Sequence, residues 1–313
     1  MKTMTTKTEK LRLLGELTGD RPLSELTKSD ARHVKSVLLC MPKNRNKMPQ
    51  TRDLSIAEAS KVAGVEVVST TTVNGYINCY KAFYGWLVDN GHATENLFAG
   101  MSVKTSRRTA TKRPAFTAPQ LATMYSHLTG VDDALVKKDC HRWGTLVAML
   151  TGCRVNEVAQ LHVSDVRQVN GIWCIDFNED ADKSVKTAAS ARVVPIHDRL
   201  IDAGFLEFVT TRKNKASPRL FPEFSFTSQN GYGRNLGRWF NETFVPALQF
   251  GHDGLVFHSF RHSMVTLLGQ ADVPVTFVSA IVGHEQSGVT QQTYFNAGHT
   301  LEQLQRRINQ FMF

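Results

Sequence analysis

Long apolar runs are missing from this chain. The longest are about five residues, Leu146 to Leu150 among them, against the roughly 18 needed to cross a bilayer, so no transmembrane span is expected. The first ten residues, MKTMTTKTEK, hold no apolar stretch of the kind a secretory signal needs. Cysteine is sparse and unpaired in pattern. The five residues Cys40, Cys79, Cys140, Cys153 and Cys174 form no C-x-x-C pair and are odd in number, which argues against a disulfide framework or a thiolate zinc site and fits a reducing cytoplasm. Internal repeats and low-complexity tracts are absent. No glycine-rich turn sits between a strand and a helix, so Gly231-Tyr232-Gly233 and Gly237 read as a loop and not as a nucleotide fingerprint. What remains is an ordinary globular composition, 42% hydrophobic and 21% charged over 313 residues. That length favours two domains or one large one, with a core that needs no staples.

Negative charge is scarce in one region only. The formal net charge is +9. Residues 1–113 hold 19 Lys and Arg against 10 Asp and Glu, and the remaining 200 residues hold 18 of each sign. The whole excess therefore lies in the first third. Five of its cations, Lys104, Arg107, Arg108, Lys112 and Arg113, crowd into SVKTSRRTATKRP, a stretch rich in Ser and Thr that ends in proline. It reads as an exposed linker over 103–116. A solvated tether is the plain alternative. A basic tether between a basic domain and a neutral one has the character of a clamp on a polyanion, which makes these five residues candidate contacts to nucleic acid or another anionic partner.

Residues 1–102 read as a small helical bundle. Helical spacing over 9–40 breaks at Gly19-Asp20 and Pro22, with Ser24 and Thr27 as candidate caps, and 41–55 reads as a polar, basic loop. Over 71–90, Val73, Ile77, Tyr80, Tyr84, Leu87 and Val88 share one face, Thr71 or Thr72 can cap the start, and Gly91 follows the end. Residues 117–313 are mixed. Helices are expected from Thr117, over 141–151 up to Gly152, over 259–269, from Asp272-Val273-Pro274 to Gly283, and over 300–312. Ile172–Phe177 and Arg192–Ile196 are short, β-branched and flanked by polar turns, so they read as strands. The fold class is mainly α with a small β-sheet.

Five local patterns carry side chains suited to chemistry. In TGCRVNEVAQL (151–161) one helix ends at Gly152 and the next begins near Arg154, with Glu157 one turn on to hold the guanidinium; by itself this is a surface ion pair. Lys186 lies in a turn before a strand in VKTAASARVVPI, where a lysine is ordinarily just solvated. HSFRH (258–262) opens a helix, with His258 and Arg261 three residues apart near an N-terminus that favours anions. His258 and His262 at i,i+4 could instead bind metal, but no H-E-x-x-H or further ligand cluster accompanies them, so no metal is expected. His284 follows a helix end in VGHE, where it can simply cap, and Tyr294 lies in TQQTYFN, where a half-buried tyrosine is the plain reading.

Taken in order, Arg154, Lys186, His258, Arg261, His284 and Tyr294 resemble the active-site series of the tyrosine recombinase (phage integrase) family: Arg, Lys, His-x-x-Arg, His or Trp, Tyr. TGCRVNE resembles that family's T-G-x-R-x-x-E box, KTAASARVVPI its lysine turn and following strand, and VGH with the later tyrosine its closing box. The likeness is close over 114–300 and looser over 9–102, where ENLFAGM resembles the N-P-F-x-G-L segment before the family's linker. Two departures stand out. The interval from His284 to Tyr294 is one residue longer than the commonest spacing, and Lys183 is a rival for the lysine role, with Lys186 preferred for its spacing to Ser190, Arg192 and Pro195.

The resemblance implies a helical core-binding domain (1–102), a linker (103–116) and a mixed α+β catalytic domain with a C-terminal tail helix (117–313). It also implies a reaction that needs no cofactor. A phosphodiester gains negative charge on its equatorial oxygens at the transition state, so positioned cations, an in-line nucleophile and a proton donor are required. Arg154 and Arg261 can each present a planar fork to phosphate oxygens, and His284 adds a hydrogen bond. Tyr294 attacks, with His258 as acid/base for its proton, because a tyrosine with a free pKa of about 10 needs help to ionise. Lys186 protonates the departing 5′ oxygen, and a 3′-phosphotyrosyl link keeps the bond energy for rejoining.

The implied partners are double-stranded DNA recombination sites, further copies in a cyclic homotetramer docked through the C-terminal tail, and accessory DNA-bending proteins, in the cytoplasm of a bacterial host at its nucleoid. Leu301, Leu304 and Ile308 on one face of that tail, with Phe311 and Phe313 beyond, could equally pack on their own domain. Residues 1–8 are too few for a separate arm-binding domain. Rival readings are a type IB topoisomerase, a silent DNA-binding protein of the same fold, and a metal-dependent nuclease.

Overall fold

The computed structural model describes residues 2–104, 114–130, 133–215, 217–251, 254–285 and 298–313. The chain divides into two compact units, 1–111 and 112–313. Among the described residues no helix is long and apolar enough to cross a membrane.

The first unit is helical: α1 Lys2–Thr18, α2 Lys28–Leu39, α3 Ile56–Ala59 and α4 Thr70–Asp89. Thr27 caps α2 and Ser55 caps α3, each in a reciprocal box with an acidic residue three positions on. Ser24 lies instead in a short 3₁₀ turn. Helix α4 starts earlier than expected because Ser69, extended at ψ 153°, accepts from the Thr72 backbone and takes the cap that Thr71 or Thr72 was expected to supply. Its buried face is Val73, Ile77, Tyr80, Tyr84 and Leu87. Phe98 closes over it, with ring centroids 5.1 Å from Tyr80 and 5.4 Å from Tyr84. The 41–55 loop is not free, since Lys43 and Val68 exchange backbone bonds with Glu66 and Met41.

The second unit is built on α6 Asp139–Thr151, which follows α5 Ala118–Thr129. From Trp143 to Thr151 every residue of α6 is buried, because α5, α10 and α12 pack around it. Gly152 ends α6 with φ 64°, and α7 Val155–Ala159 starts three residues later. A three-stranded antiparallel sheet follows, in the order β1 Val166–Val169, β2 Ile172–Phe177, β3 Arg192–Pro195, with Val166 opposite Ile175 and Ile175 opposite Val194. β1 was not expected. It is an edge strand whose middle residues, Arg167 and Gln168, face solvent, so it shows no apolar alternation. The readable signal was the turn, since Asn170-Gly171 has positive φ at both residues, 51° and 80°, as a two-residue hairpin demands.

Helices α8 Asp198–Asp202 and α9 Phe205–Lys213 come next. A continuous helical run then comprises α10 Arg234–Trp239, a π-turn at Phe240–Phe244 and α11 Val245–Ala247. The last helices are α12 Ser259–Gln270, α13 Val275–Val282 and α14 Leu301–Ile308, the last capped by Thr300.

The tail packs on its own domain, the second of the two arrangements its apolar face allowed. Leu304, Ile308 and Phe311 are buried. His197 Nδ1 accepts from the Arg199 backbone, which leaves Nε2–H to donate to the Phe311 carbonyl at 3.0 Å. The Asp198 backbone donates to Asn309 at 3.0 Å, and the Arg199 guanidinium lies 4.4 Å from the Phe313 ring.

Histidines of this domain make its stability depend on pH. His141 stacks on Trp239 at 4.2 Å and is half-buried; burial first, then Lys138, pushes its pKa down to about 4. Burial also lowers His197. The unfolded chain then binds protons that the folded one refuses, so stability is full above pH ~6.5 and is lost as pH falls towards 4. His141→Phe keeps the stack and removes one of these titrations. Its thermal midpoint is expected to drop less between pH 7 and 5 than that of the unsubstituted protein.

Candidate active site

Two helix ends make the corner at which the expected residues meet. α6 stops at Gly152 and α13 stops at Gly283, with φ of 64° and 70°. A Cβ on Gly152 would lie 3.0 Å from a Val282 methyl and 3.2 Å from Met264 Cβ, and one on Gly283 would lie 2.9 Å from the Arg192 guanidinium. Both positions therefore need glycine for conformation and for space.

Arg261, in the first turn of α12, runs into this corner and is 2% exposed. Its Nη1 donates to the carbonyls of Gly152 and Val282, its Nη2 to Gly283 at 2.9 Å, and its Nε to His284 Nε2 at 3.1 Å. The carbonyls are those left over at the ends of two helices, where the backbone dipoles are negative, so the buried cation is stabilised without a carboxylate of its own. Burial first, then the Arg154 and Arg192 guanidinium groups, lowers its pKa to about 10, which still leaves it charged at neutral pH. Arg261 thus does not hold out a free fork. A guanidinium this deeply buried has to be hydrogen-bonded, and one Nη2–H remains for an anion.

His284 is exposed. Desolvation of its buried part, then Arg261 and Arg154, pushes its pKa below the ordinary imidazole value, so it is neutral at pH 7. Since Nε2 accepts from Arg261, the proton is assigned to Nδ1, which is a hydrogen-bond donor.

Arg154 is the N-cap of α7 and is partly exposed. Its Nη1 donates to the buried Glu157 carboxylate and to Ser190 Oγ at 2.7 Å. The Glu157 carboxylate also accepts from the Arg154 backbone N–H at 3.0 Å and from Arg192 Nη2 at 3.1 Å. Burial acts to raise the Glu157 pKa, but Arg192, the Arg154 backbone and the Arg154 side chain outweigh it and hold the carboxyl below its usual range. Arg192 opens β3 and is nearly buried. It donates to the carbonyls of Ile281 (2.8 Å) and Ser190 (2.7 Å) and lies 4.4 Å from the Phe177 ring. Counted over Arg154, Arg192, Arg261 and Glu157, the corner carries a net charge of +2, which suits an anion.

Sequence reading gave Glu157 as the holder of Arg154 and used Arg192 only as a spacing mark. That one carboxylate serves both arginines was missed. The available signal was the charged residue at the head of an otherwise apolar strand, RVVP.

His258 precedes α12, is half-buried, and its ring centroid is 5.3 Å from that of His262. Lys186 is exposed in the turn between β2 and β3. Its rival Lys183 is buried and bound to Asp165 at 2.6 Å, so its ammonium is already used. Tyr294 lies outside the described residues, as do Arg107, Arg108, Lys112 and Arg113; Lys104 is exposed. Among the described residues no three His, Cys, Asp or Glu side chains converge as a metal site.

The model of the phage integrase family matches residues 116–299. The chain belongs to the phage integrase family. A curated tyrosine recombinase of Agathobacter rectalis is 23% identical over 176 residues, which cover 55% of this chain and 53% of that protein, so the match spans about half the length of that relative. Among solved structures, a lambda integrase dimer bound to a COC′ core site is 16% identical, covering 93% of this chain and 88% of that one with a TM-score of 0.57. The Tn1549 transposon integrase in complex with transposon right end DNA is 18% identical, covering 98% and 92% with a TM-score of 0.58. These likenesses establish the shared fold, helices around a small antiparallel sheet.

Proposed function

We propose that this phage integrase family member is a site-specific DNA recombinase that cuts and rejoins strands through a covalent phosphotyrosine. The observation that carries the reading is the corner itself. Arg154, Arg261 and His284 each keep an N–H not used within a cluster that carries an excess of two positive charges, inside the segment that matches the family.

In the proposed step the Tyr294 Oη–phosphorus bond forms and the phosphorus–O5′ bond breaks. The tyrosine proton passes to His258, and a proton from the Lys186 ammonium goes to the departing O5′, giving a 5′ hydroxyl. Rejoining is the reverse with a 5′ hydroxyl of the partner strand. Arg154, the remaining Arg261 N–H and His284 Nδ1–H stabilise the charge on the phosphate oxygens. Lys104, Arg107, Arg108, Lys112 and Arg113 hold the duplex backbone, a contact that weakens steeply with salt. The working assembly is a tetramer on paired sites in the cytoplasm, at nucleoid DNA, with accessory bending proteins as further partners. A contact between copies through the tail's buried apolar face requires Ile308 and Phe311 to leave the positions they fill here.

A duplex nicked close to the scissile phosphate tests the reading, because the short fragment diffuses away and traps the enzyme on DNA. A covalent adduct on a denaturing gel, unchanged by EDTA, is expected. Cleavage without an adduct, or cleavage abolished by EDTA, would assign the site to a metal-dependent nuclease.

A further inference from the structure

We infer that α7 positions Lys186 from both of its own ends, and that Gln160, which no chemical step uses, is the positioning residue at one of them; this rests on the role proposed for Lys186. The turn that carries Lys186 is tied down on either side. On the far side, Ser190 Oγ accepts from Arg154, the N-cap of α7. On the near side, Gln160, the C-cap of the same helix, uses its whole side-chain amide on one backbone unit. Nε2 donates to the Ser184 carbonyl at 2.8 Å, and Oε1 accepts from the Ser184 N–H at 3.1 Å. Gln160 is 6% exposed, so these bonds are largely shielded from water.

Only residues 185–189 lie between the two ties. The residues just before them are fastened too. Lys183 pairs with the buried Asp165, and Asp182 accepts from Tyr232 Oη at 2.9 Å and from Arg219, with His162 at 3.2 Å. Arg219 returns to the Gln160 carbonyl at 3.4 Å, which closes the set around one residue.

The consequence is geometric. A lysine ammonium rides on a flexible four-carbon stem and must come within hydrogen-bond reach of one oxygen. Tying both ends of its turn to the helix that presents Arg154 fixes the starting point of that stem relative to the phosphate. With the Ser184 tie cut, the ammonium samples a larger volume and is in place less often. A misplacement of about 1 Å costs a factor on the order of 10² in comparable sites.

Full-length protein and two nicked duplexes test this. One has the ordinary scissile phosphodiester, and the other has sulfur in place of the bridging 5′ oxygen. A thiolate leaves without needing a proton, so a defect confined to proton donation vanishes on sulfur. Lys186→Ala sets the reference: slow on oxygen and restored on sulfur. Gln160→Ala is expected to cleave the oxygen substrate roughly 10- to 100-fold more slowly and the sulfur substrate at the unsubstituted rate. Asp182→Ala, at a largely exposed tie, is expected to show the same pattern more weakly and decides the matter if Gln160→Ala does not fold. Equal slowing on both substrates, or no slowing on oxygen, overturns the positioning role. A Lys186→Ala defect that sulfur does not restore overturns the role of Lys186, and the inference with it.

Discussion

Tyr294→Phe is expected to bind target DNA as the unsubstituted protein does and to form no covalent adduct with a nicked duplex. The change removes one oxygen and almost no volume, so binding, which rests on phosphate contacts elsewhere, should stand. The chemistry should not. A nucleophile that becomes covalently attached has no partial substitute unless another one is at hand, and the neighbours of Arg154 are poor candidates. Cys153 is fully buried, and burial first, then Glu157, pushes its thiol up to about 12, so it carries no thiolate at neutral pH. Ser190 is buried too, and its hydroxyl already bonds Arg154 and Thr187. The expected fall in adduct formation is therefore on the order of 10⁴ or more, the scale seen when covalent nucleophiles are removed from other enzymes. A denaturing gel reads the adduct, fluorescence anisotropy reads the binding, and mass spectrometry of the trapped peptide locates the link. An adduct that survives in the Phe variant, or one mapped to another side chain, would refute the assignment of the nucleophile.

The site was legible in the sequence where a residue's type and its local punctuation act together. Gly152 and Gly283 could be seen as helix stops, with Arg154 and His284 just past them, while Arg261 could be placed only near the start of its own helix. Tertiary bookkeeping was not legible. Nothing in the spacing says that Arg261 spends most of its donors on the carbonyls of Gly152, Val282 and Gly283, because those carbonyls come from segments over 20 and over 100 residues away. Lys183 and Lys186 both sit before the strand, and spacing alone favoured Lys186. The physical difference, that Asp165, itself buried just before the sheet, engages Lys183, was not visible in the spacing. The edge strand Val166–Val169 escaped because three of its four residues are at least partly exposed, so the hairpin turn and not the strand carried the information. The tail helix could be placed by its apolar face, but the sequence could not say which surface that face meets. The Asn309 and Phe311 contacts to residues 197 and 198 supply the answer for this chain.

Glu157→Ala should be strongly damaging for the fold of the catalytic domain, and its size decides between two views of the Arg154–Glu157 spacing. As an exposed i,i+3 pair it is worth no more than about 1 kcal/mol. Here the carboxylate is 3% exposed and, among the described residues, is the one that bonds both Arg154 and Arg192. Its removal takes the corner from +2 to +3 and leaves Arg192 buried against the Ser190 and Ile281 carbonyls with no counter-charge among the described residues. Breaking a buried pair from one side costs about 3–5 kcal/mol, and roughly 2–4 °C of thermal midpoint goes with each kcal/mol at this size, so a drop of roughly 10 °C is expected. Glu157→Gln keeps the shape and an acceptor and should lose less. The pH dependence has a definite sign. Arg192 and the Arg154 groups hold the Glu157 carboxyl below its ordinary value of 4.5, so the stability it supplies is present above that pH and is lost as pH falls through the lower folded value. The gap between the two proteins should therefore be widest near neutrality and close in acid. Adduct formation should fall along with stability at temperatures where the variant is still folded, because Arg154 loses one of the two groups that aim it. A loss under about 1 kcal/mol at pH 7 would mean that the carboxylate is an ordinary surface partner, and that Arg192 is held by its carbonyls alone.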